Sequence, residues 1–445
     1  MTPPSQRAAA PPPERPWLIP PRDDASAASL DAHARAIDEV MAGTGRLWLG
    51  PFDPPPTLPA GFEETALVVP TSGSTGTAKA VALTRQALLA SHDATAAHLA
   101  ADVSAGAGTS TRSRSAVAGS GGHGFWLPLL PPTHIAGVQV IARAHRTAQV
   151  LGLPEPALPD PLPDLRGHFD AAAFVALAEP ALEQAAAAGL PAFTSLVPTQ
   201  LTRIVTGGSG ADARARAVLK RFDAVLVGGA ATRGDVLARA RAQRIRVVTT
   251  YGSSETAGGC VYDRRPLPGV QLRVQAPDSD GAGRLAIISP TLALGYLTAD
   301  GGTDTAAFSQ DEPRSFSTSD LAELDPDGAL TVLGRADDVI NTGGRKVLPQ
   351  DVERAIDRSL MLRGLVRSCV VVGVDDPEWG QRVEVLVTLE AGAEPAEAPS
   401  LVRSALRTSD VPAHMVPKRV HVVEELPLLG IGKVDRAAAR RLAAG

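Results

Sequence analysis

The chain reads Thr71-Ser72-Gly73-Ser74-Thr75-Gly76-Thr77-Ala78-Lys79 between two apolar runs, residues 65–70 and 80–83. The spacing predicts two short strands joined by a tight loop. Glycines let such a loop come close to a ligand, and its hydroxyls and backbone N–H groups can bind an anion. The pattern favours a polyphosphate-binding loop over a plain Ser/Gly-rich turn. It is not a Walker A motif, because Ala78 precedes the lysine and Ala80 follows it.

Beyond this loop, strand-like runs alternate with helical segments. The predicted strands are residues 191–197, 224–227 and 244–250, and the predicted helices are residues 26–42, 86–99, 138–145, 199–205 and 233–242. This alternation is typical of a largely parallel sheet with helices on both faces. Short alternating segments over residues 269–333 predict an antiparallel β region, and residues 339–445 predict a separate small α+β unit.

These patterns predict an α/β plus α+β fold. It has a large N-terminal domain with mainly parallel sheets and a β subdomain, and a small mobile C-terminal α+β domain. We place a loosely ordered Pro-rich lead-in at residues 1–25, the N-terminal domain at 26–336 and the C-terminal domain at 337–445. Residues 102–124 read as a long mobile loop, and their Gly-Ser-Gly-Gly-His-Gly run lacks the preceding strand that a dinucleotide site needs.

Composition excludes several classes of function. The chain has 445 residues, a formal net charge of −5 and two cysteines. An acidic balance argues against a nucleic-acid partner. Cys260 and Cys369 lack metal-site spacing and cannot form a disulfide framework, which fits a reducing cytoplasm. No uninterrupted apolar run is long enough to cross a bilayer, so we expect no membrane insertion.

A second motif follows the predicted strand at residues 244–250. It reads Tyr251-Gly252-Ser253-Ser254-Glu255-Thr256. Ligands of open α/β sheets bind at the carboxyl ends of strands. There, Glu255 can hold Mg²⁺ beside a polyphosphate, and Tyr251 offers a flat face to a base. The alternative is a strand-to-helix turn whose carboxylate is simply solvated.

Two further segments add charged groups. Asp320 ends the run Ser317-Thr318-Ser319-Asp320, and a carboxylate there can accept from both hydroxyls of a ribose, with Arg335 complementing a phosphate. Lys433 lies on a glycine-containing loop, directly after Gly432 and just before the last predicted helix, where it can reach into a cleft. A surface aspartate in a turn and a solvated lysine are the alternatives.

Taken in order, these segments resemble the AMP-forming acyl-CoA synthetases, a family that shares its fold with firefly luciferase and peptide-synthetase adenylation domains. The resemblance runs from Val68 to the C-terminus. It rests on residues 71–79, 251–256, 317–320, 334–349 and Lys433 in its Gly-Lys-Val-Asp context. The chain departs from the family at Ala78 and Ala80, where proline and glycine are usual; this predicts altered loop mobility without loss of the donors.

The resemblance implies an enzyme that uses ATP, CoA and Mg²⁺ and forms an acyl-adenylate. Lys433, Glu255 and Thr256 would be catalytic, and Glu255 would also hold the metal. Asp337 would be the hinge of the C-terminal domain, and a homodimer is a family-level expectation. The residues implied in nucleotide and CoA binding are Thr71, Ser72, Gly73, Ser74, Thr75, Gly76, Lys79, Gly229, Ala230, Tyr251, Gly252, Asp320, Arg335, Gly343 and Gly344.

Further features narrow the resemblance to a subgroup. The phosphate loop begins at residue 71, much earlier than in most members, which implies a truncated first subdomain. Residues 127–140, 195–201 and 251–263 are similar to the short actinobacterial o-succinylbenzoate–CoA ligases of menaquinone biosynthesis. The partner is then a small-molecule carboxylic acid with a second, aromatic carboxylate. The candidate substrate contacts are His134, Ser195 and Thr199, with Arg203 more consistent with a helix-surface charge.

Other functions stay open at this point. His134 also fits a structural cap or a gate. The enzyme could be another aryl or fatty acyl-CoA synthetase, or an amino-acid adenylation domain, although no carrier-type attachment segment follows Lys433. A non-catalytic nucleotide-binding protein is disfavoured, because a binder would not need Lys433 together with Glu255 and Asp320.

Overall fold

The computed structural model describes residues 15–71, 79–105, 111–279, 281–359, 362, 364–390, 392–409, 411–428 and 434–445. Two sets of predicted site residues lie outside these ranges. They are the phosphate-loop residues Ser72, Gly73, Ser74, Thr75 and Gly76, and the catalytic candidate Lys433. Within the described ranges, no helix is both long enough and apolar enough to cross a membrane.

The first sheet carries the two strands that flank the phosphate loop. Its strands, numbered in chain order, are β1 (Trp17–Leu18), β2 (Arg46–Trp48), β3 (Thr65–Thr71), β4 (Lys79–Thr84), β13 (Gly295–Leu297) and β14 (Thr303–Asp304). Strands β3 and β4 are antiparallel, and Thr71 pairs with Lys79. Their apolar residues are buried, so the sequence on both sides of the loop is fixed in the core. The two predicted strands are confirmed.

The second sheet supplies a parallel edge. It consists of β5 (Phe125–Leu127), β6 (Ala192–Leu196), β7 (Ala224–Val227), β8 (Val247–Ser253), β9 (Gly258–Tyr262) and β10 (Arg265–Pro266). Strands β5 to β8 are parallel neighbours, whereas β9 pairs with β8 in the antiparallel direction. The carboxyl ends of β5 to β8 therefore meet at one edge, which is where ligands bind in such sheets.

Helices cover these sheets. They are α1 (Ala27–Ala42), α2 (Arg85–Ala105), α3 (Thr111–Gly119), α4 (Ile135–Leu151), α5 (Ala171–Ala187), α6 (Pro198–Thr206), α7 (Gly210–Leu219) and α8 (Gly234–Ala242). The predicted first helix shows why the sequence folds this way. Ser26 caps its N-terminus by accepting from the Ser29 N–H, and Gly43 ends it with a φ of 84°. The buried face carries Leu30, Ile37 and Val40 at helical spacing.

The rest of the chain forms an antiparallel sheet and a separate C-terminal unit. The sheet contains β11 (Gln271–Gln275), β12 (Gly283–Ile288), β15 (Ser315–Leu324) and β16 (Leu330–Arg335). The C-terminal unit contains β17 (Ile340–Thr342), β18 (Arg345–Val347), α9 (Pro349–Arg358), β19 (Val366–Asp376), β20 (Gly380–Leu389), α10 (Ala398–Arg407), β21 (Arg419–Val422) and α11 (Arg436–Ala444). It has its own apolar core around Val352, Val385 and Leu406. The predicted fold class, α/β followed by α+β, is confirmed.

Two sequence predictions are wrong in part. The lead-in was expected to be loose, but Trp17–Leu18 pairs with β2, and the Trp17 ring packs edge-on against Trp48 at 5.1 Å. Residues 102–124 were expected to form one mobile loop, but α2 extends to Ala105 and α3 packs against it. Val117 of α3 is fully buried. The sequence did not predict this helix, because Ser and Gly around Val117 are typical of a loop. The glycine-rich run at the end of this segment follows the helix α3. A dinucleotide-binding site would instead follow a strand.

Candidate active site

The parallel strands β5 to β8 bring the predicted site residues at or just after their carboxyl ends to the same edge of the second sheet. His134 follows β5 and caps the start of α4, while Ser195 lies near the end of β6 and Thr199 in the first turn of α6. Gly229 and Ala230 follow β7. Tyr251 and Gly252 lie in β8. The edge therefore brings together predicted adenine, substrate and metal residues that are far apart in the sequence.

The antiparallel sheet of β11, β12, β15 and β16 contacts this edge through a short hydrogen bond. The Tyr251 hydroxyl donates to Asp320 Oδ2 at 2.6 Å. Arg335, which pairs with Asp320 across β15 and β16, places Nη1 3.9 Å from the other carboxylate oxygen. Burial raises the pKa of the Asp320 carboxyl, while the Tyr251 hydrogen bond and Arg335 lower it. Burial and the neighbouring carboxylate also raise the pKa of Tyr251. The Asp320 carboxylate is thus held in place at the edge by Tyr251 and Arg335. Its ribose contact stays a prediction.

A tight turn after β8 presents Glu255. Gly252 must be glycine, because a Cβ there would lie 2.1 Å from the Gly258 carbonyl oxygen. Thr256 was predicted to be catalytic, but its side chain is fully buried. Its hydroxyl accepts from the Ser253 N–H at 2.9 Å and donates to the Gly258 carbonyl at 2.8 Å. Thr256 therefore holds the turn that carries Glu255, and its predicted catalytic role stays a prediction.

Two residues that the sequence did not single out connect Glu255 to the phosphate-loop lysine. The Tyr296 hydroxyl donates to Glu255 Oε1 at 2.9 Å. Lys79 Nζ lies 4.4 Å from the centre of the Tyr296 ring and 3.2 Å from Asp304 Oδ2. These contacts join β4, β13 and β14 to the turn after β8. Short apolar runs such as Gly295-Tyr296-Leu297 carry no local signal of such a contact.

The surroundings of Glu255 fit a divalent cation. Its carboxylate is buried, and only Oε1 has a hydrogen-bond partner among the described residues. Mg²⁺ commonly takes one or two carboxylates, with phosphate oxygens and water completing its coordination. No cluster of three metal-ligating side chains occurs within the described ranges, so the protein would supply few of the ligands. A phosphate-bound Mg²⁺ needs no more than this.

The segment after β16 links the large domain to the C-terminal unit. Arg335 Nη2 contacts Asp337 Oδ2 at 3.1 Å, and Arg436 at the start of α11 contacts Asp338 at 3.4 Å. Gly343 and Gly344 form the turn between β17 and β18, with φ values of 55° and 74°. Two-residue hairpin loops of this kind require positive φ. A Cβ on Gly343 would also lie 2.6 Å from the Trp379 ring.

The predicted substrate residues differ in exposure. Ser195 is buried, His134 is half-buried and Thr199 is exposed. His134 occupies the N-cap position of α4, but its side chain makes no capping hydrogen bond. Arg203 is exposed and donates to the Phe169 carbonyl oxygen at 3.0 Å, which agrees with its interpretation as a helix-surface charge.

Comparison with known families places this fold and site in a class. The profile of the AMP-binding enzyme family matches residues 13–297, more than half of the chain, and that of the AMP-binding enzyme C-terminal domain matches residues 355–433. The chain belongs to the AMP-binding enzyme family. This confirms the family resemblance that residues 71–79, 251–256 and 317–320 indicated.

A sequence relative and a solved structure similar to this chain carry the name of the same activity, and a further solved structure shares the fold. A Mycobacterium tuberculosis protein called "probable 2-succinylbenzoate–CoA ligase" is 40% identical over 385 residues, covering 86% of each chain. The o-succinylbenzoate CoA synthetase from Bacillus subtilis, solved with its acyl-adenylate intermediate, has the same fold. Its TM-score is 0.62 at 18% identity, with 96% of this chain and 87% of that chain covered. ATP-bound MatB from Rhodopseudomonas palustris gives a TM-score of 0.65 at 23% identity, with 85% and 68% covered.

Proposed function

We propose that the protein is an AMP-forming ligase that joins 2-succinylbenzoate (o-succinylbenzoate) to CoA in menaquinone biosynthesis. The observation that carries this proposal is the 40% identity to the mycobacterial relative over 86% of both chains. The geometry supports it, since Tyr251 near the end of β8 bonds Asp320, and Glu255 in the turn after β8 bonds Tyr296. A cytoplasmic location and a homodimer are part of the proposal at the level of the family alone.

In the first half-reaction, the substrate carboxylate attacks the α-phosphorus of ATP and pyrophosphate leaves. Phosphoryl-type transfer depends mainly on positioning and on neutralising charge. Asp320 would accept from the ribose hydroxyls with Arg335 beside it, and Tyr251 with Gly229 and Ala230 would frame the adenine. Lys79 and the loop donors would hold the terminal phosphates. Lys433 would contact the α-phosphate and the attacking carboxylate as charge develops.

Glu255 would be the protein ligand for Mg²⁺. The cation supplies positive charge to the phosphate oxygens when it is bound. Tyr296 orients the Glu255 carboxylate by donating to Oε1, which would leave Oε2 available to a cation. Thr256 keeps the turn in place beneath it. Glu255 would thus bind the cation, Tyr296 would orient the Glu255 carboxylate, and Thr256 would support the turn.

In the second half-reaction, the thiol of CoA attacks the adenylate carbonyl and AMP leaves. We propose that the C-terminal unit, residues 337–445, turns about Asp337 between the two steps. The Gly343-Gly344 turn would then line the pantetheine channel while Lys433 moves away. Hinges of this kind are a few residues that absorb a large change in φ and ψ. With this movement, the CoA thiol and pyrophosphate would not compete for the same face of the active site.

A substrate panel tests the assignment. The purified protein is assayed for pyrophosphate release with 2-succinylbenzoate, benzoate, a fatty acid and an amino acid. We expect kcat/KM for 2-succinylbenzoate to exceed the others by about 10²-fold or more, because sites that pair a polar substrate group reject analogues without it. Preference for the fatty acid would refute the menaquinone assignment, and preference for the amino acid would favour an adenylation domain. Absence of ATP–pyrophosphate exchange with every acid would leave only a nucleotide-binding protein.

The pH dependence of ATP binding tests the role of Asp320. Only the ionised carboxylate accepts from both ribose hydroxyls, so ATP affinity should fall as pH drops through the Asp320 pKa. The Tyr251 hydrogen bond lowers that pKa. Tyr251→Phe should therefore move the loss of affinity upward by about one pH unit, the equivalent of one charge-assisted hydrogen bond.

Titration of the ATP dissociation constant between mildly acidic and neutral pH measures this shift. Asp320→Asn is the control, since it should weaken binding and remove the pH dependence itself. Superimposable pH profiles for Tyr251→Phe and the unmodified protein would exclude Asp320 as the group that binds the ribose.

A further inference from the structure

One arginine of the large domain contacts the C-terminal unit. Arg233 occupies the N-cap position of α8 and lies three residues after Ala230, which the proposed function places at the adenine. Its Nη1 donates to the Arg367 carbonyl oxygen at 2.6 Å, and its Nε lies 3.7 Å from Asp357 Oδ1 near the end of α9. The same Nε donates to Asp235 Oδ1 at 3.1 Å. Arg233 is therefore a cation shared by two carboxylates, one on each side of the boundary between the domains.

The carboxylates at this boundary would repel one another without the arginine. The Asp357 side chain is 31% exposed. Burial raises the pKa of the Asp357 carboxyl, the charge of Arg233 lowers it, and the nearby carboxylates of Asp235 and Glu353 raise it further. Glu353 has a cation of its own, because Arg436 on α11 lies 2.9 Å from its carboxylate. Arg233 is thus the cation that offsets the repulsion between Asp235 of the large domain and Asp357 of the C-terminal unit.

Helix α9 contacts the large domain near both of its ends. Near its start, Gln350 packs on Gly334 of β16, where a Cβ would lie 2.3 Å from the Gln350 amide oxygen. Gly334 lies three residues before the proposed hinge at Asp337. The Arg233–Asp357 contact is further along the same helix, by about 10 Å at the usual rise per residue. Because this contact lies away from the hinge, a turn of the C-terminal unit about Asp337 separates its two partners.

We propose that Arg233 is a positioning residue for adenylation, which holds the C-terminal unit and the segment carrying Lys433 in the orientation used before CoA attacks. This rests on the proposed function, in which the C-terminal unit turns between the two half-reactions. Gly343 and Gly344 would line the pantetheine channel in the second half-reaction, but both are exposed in this structure. The orientation seen here therefore differs from the one proposed for the second half-reaction, and the Arg233 contacts stabilise the orientation that precedes it.

The first test measures the two half-reactions separately in Arg233→Met, which removes the charge and keeps most of the side-chain length. We expect ATP–pyrophosphate exchange with 2-succinylbenzoate to slow about three- to tenfold, as loss of one partly exposed charge-assisted hydrogen bond does. Thioester formation from supplied acyl-adenylate and CoA should not slow. Adding Asp357→Asn to Arg233→Met should restore part of the exchange rate, because it removes the repulsion from Asp235. Arg239→Met, at an exposed position of α8, is the matched control and should change neither step.

The second test measures the domain orientation without any activity. Donor and acceptor dyes are attached to Glu183→Cys on α5 and Glu394→Cys in the C-terminal unit, which are exposed positions. Burial raises the pKa of the native thiols Cys260 and Cys369, so labelling at neutral pH favours the introduced cysteines. We expect single-molecule energy transfer in the nucleotide-free protein to show one main population, and Arg233→Met to move part of it to a second transfer efficiency.

Three results would overturn the proposal. They are identical energy-transfer distributions for Arg233→Met and the unmodified protein, equal slowing of both half-reactions, and a further loss of exchange in the double variant with Asp357→Asn. Absence of ATP–pyrophosphate exchange by the unmodified protein would instead refute the proposed function, and the energy-transfer distributions would still show whether Arg233 holds the two domains in this orientation.

Discussion

Replacing Lys433 with alanine is expected to slow acyl-adenylate formation by a factor on the order of 10²–10³, as loss of one charged donor to a transition state does. Lys433 itself is outside the described residues, but the chain on both sides of it is anchored. Leu428 bridges Val434, and the Asp435 N–H donates to the Pro427 carbonyl oxygen at 2.8 Å. Asp435 then caps α11. The described residues on the two sides of Lys433 are thus held next to each other.

The two half-reactions separate the role of Lys433 from a general loss of activity. Pyrophosphate release reports adenylation, and thioester formation from supplied acyl-adenylate and CoA reports the second step. We expect Lys433→Ala to impair the first and largely spare the second, because in the proposed domain alternation the lysine would have moved away before the thiol attacks. Lys220→Ala, at an exposed helix end, should change neither. Equal losses in both steps would contradict domain alternation.

Residues at the ends of parallel strands were predictable from the sequence. Tyr251, Glu255 and Gly229 each follow a short buried run, and the alternation with helices fixes those runs as neighbours in one sheet. Their convergence needs no knowledge of side-chain packing. The family resemblance then assigned roles to them, whereas the pairing of Asp320 with Arg335 became visible only in the structure.

Contacts between distant segments were not predictable. The Tyr296–Glu255 bond spans 41 positions and the Lys79–Asp304 bond spans 225. Nothing in the pattern around Tyr296 or Asp304 encodes a partner, since either reads as an ordinary strand residue. Thr256 shows the converse case, a motif residue whose structural role the sequence did not reveal. Its place in a chemical motif suggested a ligand contact, yet its hydroxyl is used by the backbone of the turn. Hydrogen-bond geometry decides such cases.

Arg143 illustrates why burial cannot be inferred from residue type. Arginines are mostly exposed, so an arginine within α4 reads as a surface charge. The structure instead buries Arg143 against Tyr262 and Thr95, whereas Arg146 three positions later is half-buried and pairs with Asp93. The sequence did single out the Gly-Gly-Cys-Val-Tyr-Asp segment, and Tyr262 from that segment is the residue that holds Arg143.

Glu255→Gln is expected to lower adenylation by about 10²-fold and to raise the Mg²⁺ concentration needed for half-maximal rate. Glutamine has nearly the same shape, and Tyr296 can still donate to its amide oxygen, so the turn should persist. What is lost is one negative charge beside the phosphates, and Mg²⁺ prefers carboxylate oxygen. Pyrophosphate release measured across a Mg²⁺ titration gives both effects, with thermal melting as the check on folding.

Tyr296→Phe separates the charge of Glu255 from its orientation. It keeps the carboxylate and removes one hydrogen bond, so we expect a decrease of about tenfold or less with a nearly unchanged Mg²⁺ requirement. Glu183→Gln, at an exposed position of α5, controls for the removal of a carboxylate elsewhere. If Glu255→Gln loses activity without a change in its Mg²⁺ dependence, Glu255 does not ligate the cation. Its buried carboxylate would then serve only to anchor Tyr296 over Lys79.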